Sequence, residues 1–176
     1  MRKGKAENNE SADYGQSMID SNKYIQYGFR RQTDDIKGIT LHETGNYEMN
    51  AQELFDYLNT VNLTSQGCHY IVDDTQTIQV MPLDWAVYHT GKGIDNGVKY
   101  TIAIEMCSTL DDAKYDLTEQ RALSLIRSLQ SQYSITDDNI YFHQDWNKVV
   151  YCPQRALNKY GTSVAFVYDK IKGGRQ

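Results

Sequence analysis

Three cysteines, no membrane-length apolar run and no basic excess set the first limits on this 176-residue chain. Cys68, Cys107 and Cys152 are odd in number and widely spaced, which excludes a disulfide framework. Cys68 and Cys107 lie in apolar, strand-like runs and read as buried thiols. No apolar stretch approaches the roughly 18 to 20 residues that cross a bilayer, so membrane insertion is not expected. Arg2, Lys3 and Lys5 are not followed by an apolar region, so the opening residues do not read as a secretory signal. The chain is expected to stay where it is made unless something else releases it. A net charge of −5 leaves no electrostatic footprint for nucleic acid. Internal repeats and low-complexity segments are absent. Phenylalanine is scarce, at four against fourteen tyrosines. Tyrosine joins an apolar body to a polar tip, so the excess suits either half-buried sheet positions or a cleft that handles polar ligands.

What is present fits one globular domain: 40% apolar and 23% charged residues in a length sufficient for a full core. Residues 1–22 are polar and aperiodic and read as an N-terminal arm, with the folded domain at 23–176. The pattern predicts a strand over 36–42, then a helix capped by Asn50 with Glu53 three positions on and Leu54, Phe55, Leu58 and Val61 on its apolar face. Gln66-Gly67 ends that helix. A hairpin over 68–72 and 77–81 turns at Asp73–Gln76, and 85–92 reads as a loop. A strand over 100–107 precedes a long helix capped by Thr118, with Ala122, Leu125, Ile126 and Leu129 on one face. A short turn over 153–157 leads to a last helix capped by Thr162 or Ser163, with Val164, Val167, Tyr168 and Ile171. Strands and helices interleave, which predicts an α/β domain with a mixed central β-sheet flanked by helices.

The chemistry gathers in residues 140–153. An apolar run, Ile140-Tyr141-Phe142, delivers His143; a polar loop with Asp145, Trp146, Asn147 and Lys148 follows and closes on Cys152-Pro153. A histidine and a cysteine nine positions apart across such a loop suggest half of a zinc site. His42 ends the first strand as His143 ends another, and strand ends are where sites form in α/β sheets. If those strands are neighbours, His42, His143 and Cys152 converge as three ligands with a fourth position for water. Taken singly, each histidine is more often a satisfied core or surface residue than a ligand. Glu105 stands out inside an otherwise apolar strand, where a carboxylate is costly unless it is paired or functional.

Five blocks, in order, then carry a resemblance: Thr40–Asn46, Cys68–Asp74, Trp85–Gly91, Ile102–Cys107, and His143–Trp146 with Cys152-Pro153. Together they resemble the zinc-dependent N-acetylmuramoyl-L-alanine amidases of phage endolysins and bacterial autolysins, similar in fold to peptidoglycan recognition proteins. The resemblance covers roughly residues 36 to 157. It implies one zinc ion on His42, His143 and Cys152, with peptidoglycan as substrate. The implied reaction is hydrolysis of the amide between N-acetylmuramic acid and the L-alanine of the stem peptide, with zinc-activated water as nucleophile. It implies a general base at Glu105. Lys148 reads either as an oxyanion contact reached by a different path or as a solvated surface residue; His89, beside Tyr88 and Gly91, and Thr44 read as substrate contacts, and Trp85 as a sugar-stacking or a core residue. The resemblance implies action on the bacterial cell wall after release by a holin or by other means. Two positions depart from the pattern. Cys68 stands where some members carry a catalytic tyrosine, which strengthens the reading of Glu105. Val150 stands where many carry Lys or Thr, and Lys148 sits earlier in a loop one residue longer than is common.

Two other readings compete. A non-catalytic peptidoglycan-binding module usually lacks the cysteine ligand, which is present here. A thiol hydrolase using Cys152 and His143 leaves His42 and Glu105 without a role.

Overall fold

Apolar residues alternate most regularly over Gly38–Glu43 and Thr101–Met106, and a period of two is what a strand needs to bury one face. These segments pair in parallel at the centre of a six-stranded sheet. The computed structural model describes residues 15–16, 18, 21–60 and 67–173. Most of the N-terminal arm, together with Val61 and Gln66, lies outside the described residues.

Among the described residues the strands are β1 (Gly15–Gln16), β2 (Gly28–Arg30), β3 (Gly38–Glu43), β4 (Tyr70–Val72), β5 (Thr77–Gln79), β6 (Trp85–Val87), β7 (Thr101–Met106) and β8 (Ile140–Phe142). The helices are α1 (Tyr24–Tyr27), α2 (Ala51–Thr60), α3 (Asn96–Tyr100), α4 (Asp112–Tyr133), α5 (His143–Trp146), α6 (Gln154–Tyr160) and α7 (Ser163–Phe166), the last continuing as a π-helical segment, Val167–Lys172. Sheet order is β1-β5-β4-β7-β3-β8, and β2 and β6 form a separate antiparallel ribbon. Within the large sheet β4, β7, β3 and β8 run parallel and β5 is antiparallel to β4. This is the mixed sheet with flanking helices that the sequence pattern predicts.

The pleat sends alternate residues of each strand into one of two cores. Ile39, Leu41, Ile102, Ile104 and Met106 face α4, where Ala122, Leu125, Ile126 and Leu129 supply the helix stripe. The opposite face carries Ile71, Ala103 and Cys107 against Leu58 of α2, Tyr27 and Val87. Each fully buried Leu or Ile contributes about 1.5–3 kcal/mol. His42 and Glu105 alternate with Leu41 and Ile104, so they belong to the second face, where the cover is incomplete and a cavity opens.

The capping box at α2 is present: Asn50 Oδ1 accepts from the Glu53 amide at 3.0 Å and Glu53 Oε2 accepts from the Asn50 amide at 2.9 Å. Thr162 caps α7 by accepting from the Ala165 amide at 3.1 Å. The long helix is capped seven residues before Thr118, about two turns, because Asp111 accepts from the amides of Ala113 and Lys114 there. Thr118 is buried and donates to the Lys114 carbonyl instead. Trp85–Val87 is a strand, not a loop, paired with Gly28–Arg30. Val164 and Tyr168 face solvent, while Phe166, Val167 and Ile171 make the buried stripe.

Arg31 fastens the ribbon to the sheet. Its guanidinium donates to the carbonyls of Leu83, Lys99 and Thr101 at 2.8–3.2 Å. His69 is fully buried; its Nδ1 accepts from the Ala103 amide at 2.9 Å and its Nε2 donates to the Trp85 carbonyl at 2.8 Å. Its role is structural.

Candidate metal centre and active site

Parallel strands present their C-terminal ends at one edge, so the residues that close β3 and follow β8 meet there. Leu41 pairs with Phe142, and the next residues, His42 and His143, have ring centroids 4.6 Å apart. The β3–β7 register sets Glu105 opposite His42. Cys152 arrives on the loop after α5, where the Gln144 amide donates to the Cys152 carbonyl and the Val150 amide to the Asn147 carbonyl, each at 3.0 Å. One ligand atom from each of His42, His143 and Cys152 lies within 4.8 Å of the others, and Cys152 Sγ is 4.0 Å from His42 Nδ1. Two imidazoles and a thiol are a donor set that zinc takes in tetrahedral sites, with room for a fourth ligand.

Hydrogen bonding leaves the right nitrogens available. His143 Nε2 faces the Thr90 carbonyl at 3.1 Å. A carbonyl only accepts, so Nε2 carries the proton and Nδ1 keeps its lone pair. Burial lowers the pKa of His143, and it lowers that of His42 well below the ordinary range with help from His89 and His143. Both imidazoles are therefore neutral at physiological pH, the form that binds metal. Burial, with Glu105 adding to it, pushes the Cys152 thiol up to about 12. A cation among these donors reverses that tendency by favouring thiolate.

Glu105 is half-buried, yet its Oε2 is fully enclosed and has no hydrogen-bond partner among the described residues. Burial first, and Glu43 second, push its carboxyl up to about 8. A carboxyl held near neutrality beside the ligand cluster can take up and release a proton at working pH.

A cavity of 640 Å³ opens over the cluster; His42, His143, Cys152, Glu105, His89 and Thr44 all line it. Thr44 holds the rim by accepting from the Ser108 amide at 3.0 Å. His89 is mostly withdrawn, 6% exposed, with its Nδ1 on His42 Nε2 at 3.0 Å. Trp85 and Lys148 are not brought to the cluster. Trp85 sits in the ribbon against Tyr24, ring centroids 5.5 Å apart, with the Arg30 guanidinium over its face. The Lys148 side chain is 73% exposed and pairs with Asp145 at 3.5 Å. Asp145 in turn caps α5, accepting from the Phe142 amide at 2.8 Å.

Sequence reasoning missed Glu43. It is buried, accepts from the Tyr115 hydroxyl at 2.8 Å, and caps α6 through the amides of Arg155 and Ala156 at 2.9 and 3.1 Å. It thereby fixes the helix that starts two residues after Cys152. The available signal was an acid directly after His42 at the end of an apolar strand. Thr90, whose carbonyl orients His143, left no signal, because a backbone group carries no residue code.

Comparison with known proteins places this geometry among relatives. The sequence profile described as N-acetylmuramoyl-L-alanine amidase matches residues 32–155. The N-acetylmuramoyl-L-alanine amidase XlyB of Bacillus subtilis (strain 168) is 32% identical over 77% of this chain and 43% of its own length. CwlA, named as the same activity in the same organism, is 34% identical over 69% of this chain and 44% of its own. The chain thus spans about half the length, or less, of the curated relatives it matches. Among solved structures, PlyL superposes with a TM-score of 0.79 at 30% identity, covering 89% of this chain and 95% of that one. The catalytic domain of XlyA gives 0.73 at 27% identity, covering 85% and 96%.

Proposed function

The chain belongs to the N-acetylmuramoyl-L-alanine amidase family, and on that premise we propose that it hydrolyses the amide between N-acetylmuramic acid and the L-alanine of the peptidoglycan stem, as an endolysin or autolysin does. The observation that carries the reading is the convergence of His42, His143 and Cys152 in one cavity with the unpartnered Oε2 of Glu105. A zinc ion held by those three residues would act as a Lewis acid toward the scissile carbonyl and lower the pKa of water to about 7.

The chain's own residues do the rest. The cavity seats the lactyl-alanyl amide over the cluster, with Thr44 on the rim. Glu105 accepts a proton from the attacking water as the carbon–oxygen bond forms, and delivers it to the nitrogen as the carbon–nitrogen bond breaks. The products are a lactyl carboxylate and a free alanine amine. General acid–base catalysis of this kind contributes about 10²–10⁴-fold. Cell-wall action requires release from the compartment of synthesis. Among the described residues no helix is long and apolar enough to cross a membrane.

A thiol mechanism is disfavoured by burial. Cys152 Sγ lies 4.0 Å from His42 Nδ1, but desolvation pushes its thiol up to about 12, away from the thiolate that nucleophilic attack needs. Purified cell walls incubated with the protein test the point. Loss of lysis on chelation with recovery on added zinc supports the amidase; undiminished lysis in chelator overturns it.

A further inference from the structure

His89 and the groups behind it form a hydrogen-bond chain whose directions are all set by chemistry. The indole Nε1 of Trp146 can only donate, and it meets Thr40 Oγ1 at 2.9 Å. Thr101 gives its one hydroxyl proton to the Gly97 carbonyl at 2.7 Å, so in the Thr40–Thr101 pair at 2.8 Å it is Thr40 that donates. His89 Nε2 faces both that carbonyl and Thr101 Oγ1 at 3.3 Å. Both present acceptors, so Nε2 carries the hydrogen. A neutral imidazole has one N–H, which leaves His89 Nδ1 as an acceptor. It lies 3.0 Å from His42 Nε2, which must then be the donor. His42 Nδ1 is left with its lone pair, on the side of Cys152 Sγ.

Local packing holds the far end of this chain in place. A Cβ at Gly97 would come within 2.7 Å of Thr90 Cγ2 and 2.8 Å of the Trp146 ring, so only glycine fits. The ring planes of His42 and His89 meet at 87° with centroids 5.1 Å apart, an arrangement that an N–H to ring-nitrogen bond permits.

We propose that His89 is a positioning residue for metal binding, coupling His42 to the Gly97 carbonyl and so holding His42 in the tautomer whose Nδ1 faces the other two ligands. The Thr90 carbonyl does the same for His143 directly, so the adjacent residues His89 and Thr90 orient both imidazoles. The inference rests on the metal-site reading above. It reassigns His89 from the substrate groove to the support of a ligand, and partners of this kind are worth about 10–100-fold in metal affinity.

Two measurements decide it. Nitrogen-15 NMR of the metal-free protein reports the tautomer of His42 without any substitution. Nδ1 free of hydrogen and Nε2–H is the expected result; hydrogen on Nδ1 overturns the proposal. Chelator competition then gives zinc dissociation constants for the unaltered protein, His89→Ala and His89→Asn, each checked for folding by circular dichroism. His89→Ala should weaken zinc about 10–100-fold. His89→Asn, whose Oδ1 can stand where Nδ1 stood, should recover most of the loss. A folded His89→Ala protein that binds zinc like the parent refutes the positioning role. If the unaltered protein binds no zinc, it is the amidase reading that fails, and the tautomer measurement still judges the chain of hydrogen bonds. If His89→Ala does not fold, the tautomer alone decides.

Discussion

Replacing Glu105 with glutamine separates catalysis from stability, because the two are expected to move in opposite directions. The carboxyl is raised from 4.5 to about 8 by burial and by Glu43. A raised acid binds more protons folded than unfolded across that interval, so its contribution to stability falls as pH rises from 4.5 through 8. At 1.36 kcal/mol per pH unit, the full rise corresponds to a ceiling of about 5 kcal/mol against the metal-free fold at pH 8.5. Glutamine avoids the charge but leaves its own amide partly unpaired, at a cost of about 1–3 kcal/mol. Metal-free Glu105→Gln should therefore be more stable than the parent by roughly 2–4 kcal/mol at pH 8.5. Near pH 4.5 the charge penalty is gone and only the amide cost remains, so the variant should there be less stable than the parent by about 1–3 kcal/mol. Urea unfolding at the two pH values measures this directly. Wall-clearing rates of the zinc-loaded variant should fall about 10²–10⁴-fold, with zinc still bound. A variant that lyses walls at the parental rate removes Glu105 from the chemistry. A stability difference independent of pH means the carboxyl is not held in a desolvated state.

Further outcomes follow from other contacts. Cys152→Ser should retain less zinc on purification, read by metal analysis, since a hydroxyl replaces the soft donor. Glu43→Ala leaves the Tyr115 hydroxyl and the first amides of α6 unpaired and should cost about 2–4 kcal/mol in urea unfolding. Burial lowers His89 from 6.5 to about 3, so the folded protein binds fewer protons than the unfolded chain between those values. Metal-free stability should accordingly rise with pH toward 6.5, with His42, His69 and His143, also lowered by burial, adding to the same limb, and Glu105→Gln removes the opposing carboxyl. Lys148→Ala should change wall lysis by no more than about fivefold, the scale of an exposed ion pair near 1 kcal/mol. A larger loss would assign Lys148 to the oxyanion despite its exposure.

The convergence of His42 and His143 is partly legible in the sequence because strand ends are legible. Apolar alternation fixes where Gly38–Glu43 and Ile140–Phe142 stop, and His42 and His143 stand at those stops. Whether the two strands are neighbours is a matter of sheet order, which residue patterns do not encode; the Leu41–Phe142 pairing supplies it. Glu105 was legible for a different reason, as a charge in an apolar run. His89 lines the cavity, as its place beside Tyr88 and Gly91 suggests, but its partners, the Gly97 carbonyl and residues 47 and 12 positions away, His42 and Thr101, are not legible in sequence. Thr118 looked like a cap because threonine favours caps, but Asp111, with a carboxylate aimed at two amides, starts the helix earlier. Lys148 is exposed and pairs with Asp145 at 3.5 Å, and Asp145 also accepts from the Phe142 amide; its part in the reaction is left to the Lys148→Ala measurement.

The most direct test of zinc-dependent cleavage at the muramoyl–alanine amide is to label the new chemical ends in digested walls. Incubation with the zinc-loaded protein should release free amino groups on L-alanine, with no new reducing sugar ends, and chelation should abolish the release until zinc is restored. Reducing ends without new alanine amines, or amine release undiminished in chelator, would contradict the account.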